Sequence, residues 1–258
     1  YFEYIFKNTL PNGTPSSNNY FRQFTPKLGI TYHKEKWGGY MNYGLGFVPP
    51  QITELYNAIR VPYLLPQSFS NKEIGIWFQQ KKWYAEISFY EMLGENEIVS
   101  VRQPDGVNLN QNTGATKHYG MEYQIKYQPL NYIEINWNGT YAKHLYVNTI
   151  IKGVDVSGNE MSAAPNYWSS LTCLLKLNSK INTQLEWQHQ SKYFMDETNA
   201  TVYPGFDVMN VRVNYTLKQG SLWLHVLNLN QTYYSTMATK NFSVKGNAAY
   251  SYYIGEPR

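Results

Sequence analysis

The chain has 258 residues, of which 16% are charged and 17% aromatic, and its formal net charge is +4. So small a charge, with no basic run, argues against a nucleic-acid partner, and the single cysteine, Cys173, excludes an intrachain disulfide framework. The 25 tyrosines, 7 tryptophans and 11 phenylalanines favour strands, and they favour positions where one end is wet and the other apolar.

The chain opens directly on a strand-like run, "YFEYIFKN", with no signal-like segment before it, and the expectation is a fragment of a longer protein. No apolar run approaches the roughly 20 residues of a membrane helix. From Trp37 to Phe47 the odd positions are Trp37, Gly39, Met41, Tyr43, Leu45 and Phe47, and the even ones are glycine, Tyr40 and Asn42, which is a strand with one apolar face. Pro49 and Pro50 cannot donate to a ladder, so they end that strand. Tyr119, Met121, Tyr123, Ile125 and Tyr127 alternate with His118, Gly120, Glu122, Gln124 and Lys126. The same period recurs around Ile133, Ile135 and Trp137, around Ile181, Leu185 and Trp187, and around Met209, Val211, Val213 and Tyr215. Eleven such runs are predicted, near 1–8, 24–33, 36–47, 71–80, 83–98, 118–128, 132–147, 167–177, 181–194, 207–218 and 221–230.

The connections alternate between two kinds. Short turns fall at 33–36, 80–82, 129–131, 178–180 and 219–220, and long loops rich in Asn, Gly, Pro and Ser fill 9–23, 48–70, 99–117, 148–166, 195–206 and 231 onward. In an up-and-down meander successive connections fall on opposite rims, so one rim carries short turns and the other long loops, the asymmetry of an outer-membrane barrel. A soluble sandwich would share the alternation. What favours the barrel is the set of aromatics beside the short turns: Tyr32, Trp37, Trp83, Tyr127, Tyr132, Tyr215 and Trp223, where a headgroup-level girdle would fall. The mean hydropathy of −0.51 does not count against it, because lumen faces and loops are polar.

No catalytic constellation stands out among His33, His118, His144, His189 and His225, and neither an enzyme nor a cofactor is expected. His118 and Glu122 share a face, but a hydrogen-bonded wall pair explains them better than a metal site, so no metal is expected. Cys173, between Leu171 and Leu175 on the apolar face, reads as a small lipid-facing residue. On the polar face Glu122, Lys126, Glu134, Asn136, Asn138, Gln184, Glu186, Asn210 and Arg212 form a hydrogen-bonding wall. The long loops carry Tyr56, Tyr63, Phe69, Tyr203, Tyr233 and Tyr234, whose flat amphipathic rings suit a large ligand. Tyr56, Tyr63, Tyr203 and Tyr233 are the candidate ligand-binding residues.

Pro26, Leu28, Gly29 and Tyr32, followed by Gly46, Phe47, Pro49, Pro50, Glu54, Leu55 and Tyr56, resemble paired strands of the TonB-dependent outer-membrane receptors. Further stretches resemble that family in its order: "PQSFSNKEIGIWF", "WYAEISFYEMLGENEIVS", Asn112, Gly114, Gly120 and Glu122, and "FDVMNVRVNY" before "LWLHVLNLNQTYY". Val48 stands where an Arg is often found, and Gln67 where Glu is usual. "GEPR", at Gly255 to Arg258, resembles the approach to the family's last strand. The resemblance implies an all-β, antiparallel up-and-down transmembrane β-barrel of roughly 22 strands, of which residues 1–258 supply about eleven to twelve as its C-terminal portion, without the plug domain or the last strand. It implies a location in the bacterial outer membrane, in contact with its lipid. The implied function is energy-coupled uptake of a large scarce ligand, a ferric siderophore above all, with the protein's own N-terminal plug and the inner-membrane TonB complex as partners. Two alternatives stay open at this point: a passive porin, and a soluble secreted glycan-binding β-protein.

Overall fold

The computed structural model describes residues 2–9, 15–51, 54–55, 63–102, 108–112, 114–151, 153–240, 245–246 and 250–255. Its centre is one antiparallel sheet of ten strands: β1 (Lys27–Lys34), β2 (Trp37–Val48), β3 (Gln67–Gln80), β4 (Trp83–Glu95), β5 (Ala115–Leu130), β6 (Ile133–Val147), β7 (Tyr167–Lys176), β8 (Ile181–Gln190), β9 (Phe206–Leu217) and β10 (Gly220–Val226). Each strand pairs with the next in sequence, from β1 at one edge to β10 at the other. β2 ends at Val48, one residue before the two prolines.

The register lines up the two-residue period of every strand. One row across the sheet reads Phe78, Ala85, Ile125, Trp137, Leu171, Trp187 and Met209. A row on the other face reads Tyr84, Lys126, Asn136, Thr172, Glu186 and Asn210. Because side chains alternate between faces, a slip of one residue in any strand would carry its apolar set to the polar side. On the polar face Tyr40 donates to Glu73 at 2.7 Å, Asn210 donates to Glu186 at 3.0 Å, and Tyr84 hydrogen-bonds Glu86.

Two glycines on that face make room for rings. A Cβ on Gly38 would lie 2.1 Å from the Trp77 ring, and one on Gly75 would lie 2.4 Å from the Tyr40 ring. The missing side chains thus let aromatics of the neighbouring strands lie flat on the backbone.

The apolar face has no second layer over it among the described residues. Ile76 and Met41 are each 59% exposed and Leu185 is 42% exposed, whereas the sandwich alternative requires such residues to be covered by a second sheet. The buried apolar clusters lie instead at the loop end of the sheet. Beside the short turns Trp83 stacks on Tyr127 with centroids 3.8 Å apart, and Tyr32 meets Trp37 at 5.4 Å.

The structure corrects the expected strand set. The first expected strand does form, as Phe2–Thr9, but it pairs with Pro15–Gln23 rather than with the sheet, within a stretch expected to be loop. Three other expected loops carry hairpins of their own, Ile98–Arg102 with Asn108–Asn112, Ile150–Ile151 with Val154–Asp155, and Ser235–Lys240 with Tyr250–Ile254. A long connection that pairs with itself satisfies its own backbone groups and needs no water or partner to do so. Trp223, expected in the girdle, stands opposite Asn214 on the polar face, while Leu222 and Leu224 take the apolar positions opposite Tyr215 and Val213.

Ile135 and Leu185 flank Cys173 in the register of the apolar face. Replacing either with Arg should block membrane assembly, because a charge near the bilayer midplane costs about 2–4 kcal/mol, whereas Asn136→Arg and Gln184→Arg should be tolerated. Heat-modifiable mobility of the membrane-inserted protein checks this, and equal tolerance of the two sets would refute the face assignment.

Candidate functional site

The long connections leave the sheet at one end, and three of them are built together. Between β6 and β7, Tyr146, Ile151 and Val156 form a small buried cluster. Between β8 and β9, Tyr193, Met195 and Tyr203 form a second one, completed by Ala238 from the segment after β10. Polar contacts join these bodies. The Asn199 side chain accepts from the Glu160 amide and donates to the Glu160 carbonyl, both at 2.8 Å, and Asn159 donates to the Glu197 carbonyl at 2.9 Å. The Ala238 amide donates to the Tyr193 hydroxyl at 2.6 Å, and the Lys240 ammonium donates to Thr201 at 2.8 Å.

A second loop body stands beside the first. The Asn112 side chain accepts from the Leu65 amide at 2.7 Å and donates to the Leu65 carbonyl at 2.9 Å, and Asn110 donates to the Glu54 carbonyl at 2.8 Å. The hairpin after β4 and the connection between β2 and β3 are thereby tied together, over the buried side chains of Leu55 and Leu64.

The four candidate ligand-binding residues separate into different settings. Tyr203 and Tyr233 line one cleft of about 880 Å³, together with Asn228, Thr232, Tyr234 and Tyr252. Tyr233 is fully exposed, while the Tyr203 ring is buried. The Tyr203 hydroxyl accepts from the Ser235 amide at 2.7 Å and donates to the Ser235 carbonyl at 3.1 Å, so this tyrosine anchors the cleft wall. Tyr63 is exposed on the second loop body, away from that cleft. Tyr56 lies outside the described residues.

The cleft's floor is set by Asn228, a non-glycine residue with φ of 49°. Its side chain accepts from the Thr232 amide at 2.8 Å and donates to the Thr232 carbonyl at 2.9 Å, closing a tight turn that presents Tyr233 and Tyr234. Asn tolerates this left-handed conformation because its short polar side chain can bond the local backbone. Tyr234 packs on Phe206 with centroids 4.5 Å apart.

Two loop carboxylates are held by internal hydrogen bonds. Burial alone would raise the Glu160 carboxyl, but hydrogen bonds from Lys143 at 2.9 Å and Asn166 at 2.8 Å outweigh it and hold the group below its ordinary range. Asp196 follows the same logic: burial opposes ionisation, and hydrogen bonds from the Thr198 hydroxyl, the Ala200 amide and the Thr201 hydroxyl prevail and lower its pKa. His118 and Glu122, weighed together from the sequence, do not meet as a pair, since His118 bonds His144 instead. Among the described residues no group of three or more His, Cys, Asp or Glu converges on a point that could hold a metal.

Sequence reasoning missed Tyr193, Asp196 and Asn199, which hold the loops together. The stretch "DETN" carried a signal for the last two, since Asp and Asn favour side-chain-capped turns. Tyr193 carried none, because its partner Ala238 lies far along the chain.

The sequence profile described as "TonB dependent receptor-like, beta-barrel" matches residues 1–229. Sequence comparison with curated proteins finds no match. Among solved structures the fold is similar to the siderophore receptor PiuA from Acinetobacter baumannii, with a TM-score of 0.76 and 18% identity over 96% of this chain and 36% of that one. It is similar also to the ferric yersiniabactin uptake receptor FyuA from Yersinia pestis, with a TM-score of 0.74 and 12% identity over 97% of this chain and 38% of that one. The ferric-catecholate import receptor Fiu from E. coli K12 gives a TM-score of 0.67 and 19% identity over 99% of this chain and 39% of that one. The chain thus spans less than two-fifths of the length of each of these structures. With a profile match over most of its length and the same strand architecture, the chain belongs to the TonB-dependent receptor β-barrel family.

Proposed function

We propose that this chain forms part of the wall and external vestibule of an outer-membrane receptor for energy-coupled uptake of a ferric siderophore. The observation that carries the reading is the join of an uncovered apolar belt to a consolidated, tyrosine-lined loop region. On β4 the apolar face runs Trp83, Ala85, Ile87 and Phe89 before it meets Glu91. That interval of about eight residues is ~27 Å along the strand, or ~20 Å of depth at a tilt near ~45°, close to the apolar band of an outer-membrane barrel. At its upper edge Glu91 pairs with Lys117 at 2.8 Å and Lys72 at 3.3 Å, and Lys143 pairs with Glu160 at 2.9 Å. The belt therefore lies between stacked aromatics beside the short turns and ion pairs below the loops, as lipid headgroups on both sides require.

The names of the structural neighbours favour an iron chelate as the ligand. The polar wall, with Glu86, Glu122, Lys126, Glu186 and Arg212, suits a hydrated plug packed inside the barrel, and that plug is the element through which the inner-membrane TonB complex acts on a receptor of this family. A passive porin would have no use for a preformed cleft at its mouth. The test is uptake of radiolabelled iron, presented as a panel of ferric siderophores, by iron-starved cells with and without the intact gene. Loss of uptake for one chelate class supports the reading, and unchanged uptake of all with altered diffusion of small solutes supports the porin.

Tyr233→Ala should weaken capture of the transported chelate by roughly tenfold, as removal of an exposed aromatic anchor does, with barrel assembly unchanged. Tyr203→Phe, which removes only the hydroxyl bonded to Ser235, should loosen the cleft wall by about 1 kcal/mol. Binding to whole cells, scored beside heat-modifiable mobility, measures both variants.

Asp196 yields a pH-dependent outcome. Its folded-state pKa lies below the unfolded one, so its contribution is complete above the ordinary carboxylate range and is lost as pH falls through the folded value. Asp196→Asn should therefore speed hydrogen exchange of the Thr198 and Ala200 amides at neutral pH by about tenfold, with the gap to the unmodified protein closing in acid.

A further inference from the structure

His118 on β5 and His144 on β6 stand directly opposite each other in the register, on the polar face near the loop end. Their Nδ1 atoms are 2.7 Å apart. On its other side His118 Nε2 lies 2.9 Å from the Thr116 hydroxyl and 3.7 Å from Glu97 Oε1, and Thr116 hydrogen-bonds Glu97. Burial alone would raise the Glu97 carboxyl, but the bonds from His118 and Thr116 outweigh it and keep the group ionised.

Counting donors fixes the protons in this chain. An ionised carboxylate only accepts, and a hydroxyl has one proton to give. Thr116 therefore donates to Glu97 and accepts from His118 Nε2–H. One proton then lies between the two Nδ1 atoms, whether the pair is neutral or carries a single positive charge. A second charge would set two N–H groups against each other at 2.7 Å beside a like charge, and the contact could not survive.

Apart from Glu97, which faces the first charge on His118 at 3.7 Å, the surroundings offer the second charge little relief. Met92 of β4 stands opposite His118. On the same face lie Gly120 of β5 and Ala142 and Tyr146 of β6. Glu160, which acts on His144 from the connection after β6, is already held by Lys143 and Asn166.

The pair also sits where the two loop bodies meet. Glu97 immediately precedes the hairpin that begins at Ile98 and is tied through Asn110 and Asn112 to the connection bearing Tyr63. β6 runs into the first loop body just past His144. We propose that His118 and His144 form an acid-sensitive clasp between the two loop bodies, closed while they share one proton and opened by a second. Mild acid then frees the hairpin and the Tyr63 segment from the wall, while the cluster of Tyr193, Met195 and Tyr203 stays in place.

The test uses the full-length receptor in outer-membrane vesicles with a chelator present throughout. Amide hydrogen exchange, corrected for intrinsic rates, is followed in the paired strands Ile98–Arg102 and Asn108–Asn112 from pH 8 to pH 5 in the unmodified protein and in His144→Gln. Protection should fall by at least tenfold towards acid in the former and stay level in the latter. No fall in the unmodified protein, or the same fall in both, would overturn the clasp. If His144→Gln fails to assemble, imidazole C2-proton exchange of the unmodified protein decides. A His144 profile displaced to the acid side of an ordinary imidazole supports the proposal, and an undisplaced one refutes it.

Discussion

The in-register antiparallel ladder from β1 to β10 is the constraint on which the other features of this chain depend. With a side-chain period of two, the ladder turns each strand's local alternation into rows that cross the whole sheet. The row from Phe78 to Met209 stays apolar or aromatic across seven strands because no register shift intervenes along it. The short turns protect that order, since a tight connection leaves a strand little freedom to slide. Its apolar side stays uncovered among the described residues while its polar side carries Glu, Lys, Arg and Asn, so the ladder divides the sheet into two chemically distinct faces.

The loop region follows a different physics. Away from the ladder there is no long-range pattern to impose order, so order comes from small buried clusters and from asparagine side chains that bond backbone amides and carbonyls. Asn112, Asn199 and Asn228 each accept from the amide and donate to the carbonyl of a single residue, Leu65, Glu160 and Thr232 respectively, which makes each a two-point cross-link between segments or across a turn. Tyrosine serves both regimes. Tyr203 is buried with its hydroxyl bonded and Tyr233 is wholly exposed, so one builds the cleft wall and the other stands open to solvent. Their close placement gives a preformed concave surface.

Much of this was legible in the residues. Period-two alternation marked all ten strands of the sheet, and the prolines at 49 and 50 marked the end of β2 within one residue. The alternation of short and long connections identified the loop end. Tyr203 and Tyr233 were legible as loop tyrosines, but not as members of one cleft, because about 30 residues separate them and only the docking of the segment after β10 brings them together. The hairpins inside the long loops were hidden, since strands such as Asn108–Asn112 are built from residues with poor strand propensity. Trp223 was misassigned because aromatic identity says nothing about facing, which depends on the partner opposite.

The sequence by itself determined the ten strands of the central sheet, their alternation between two faces and the end at which the loops gather, because these rest on interactions local to a strand or turn and are written in the period of the side chains. Only the tertiary structure decided which loops join, which tyrosine is buried and which histidine meets which. Those outcomes depend on contacts such as Tyr193 with Ala238 and His118 with His144, between segments that sequence spacing cannot bring together until the ladder has set their positions in space.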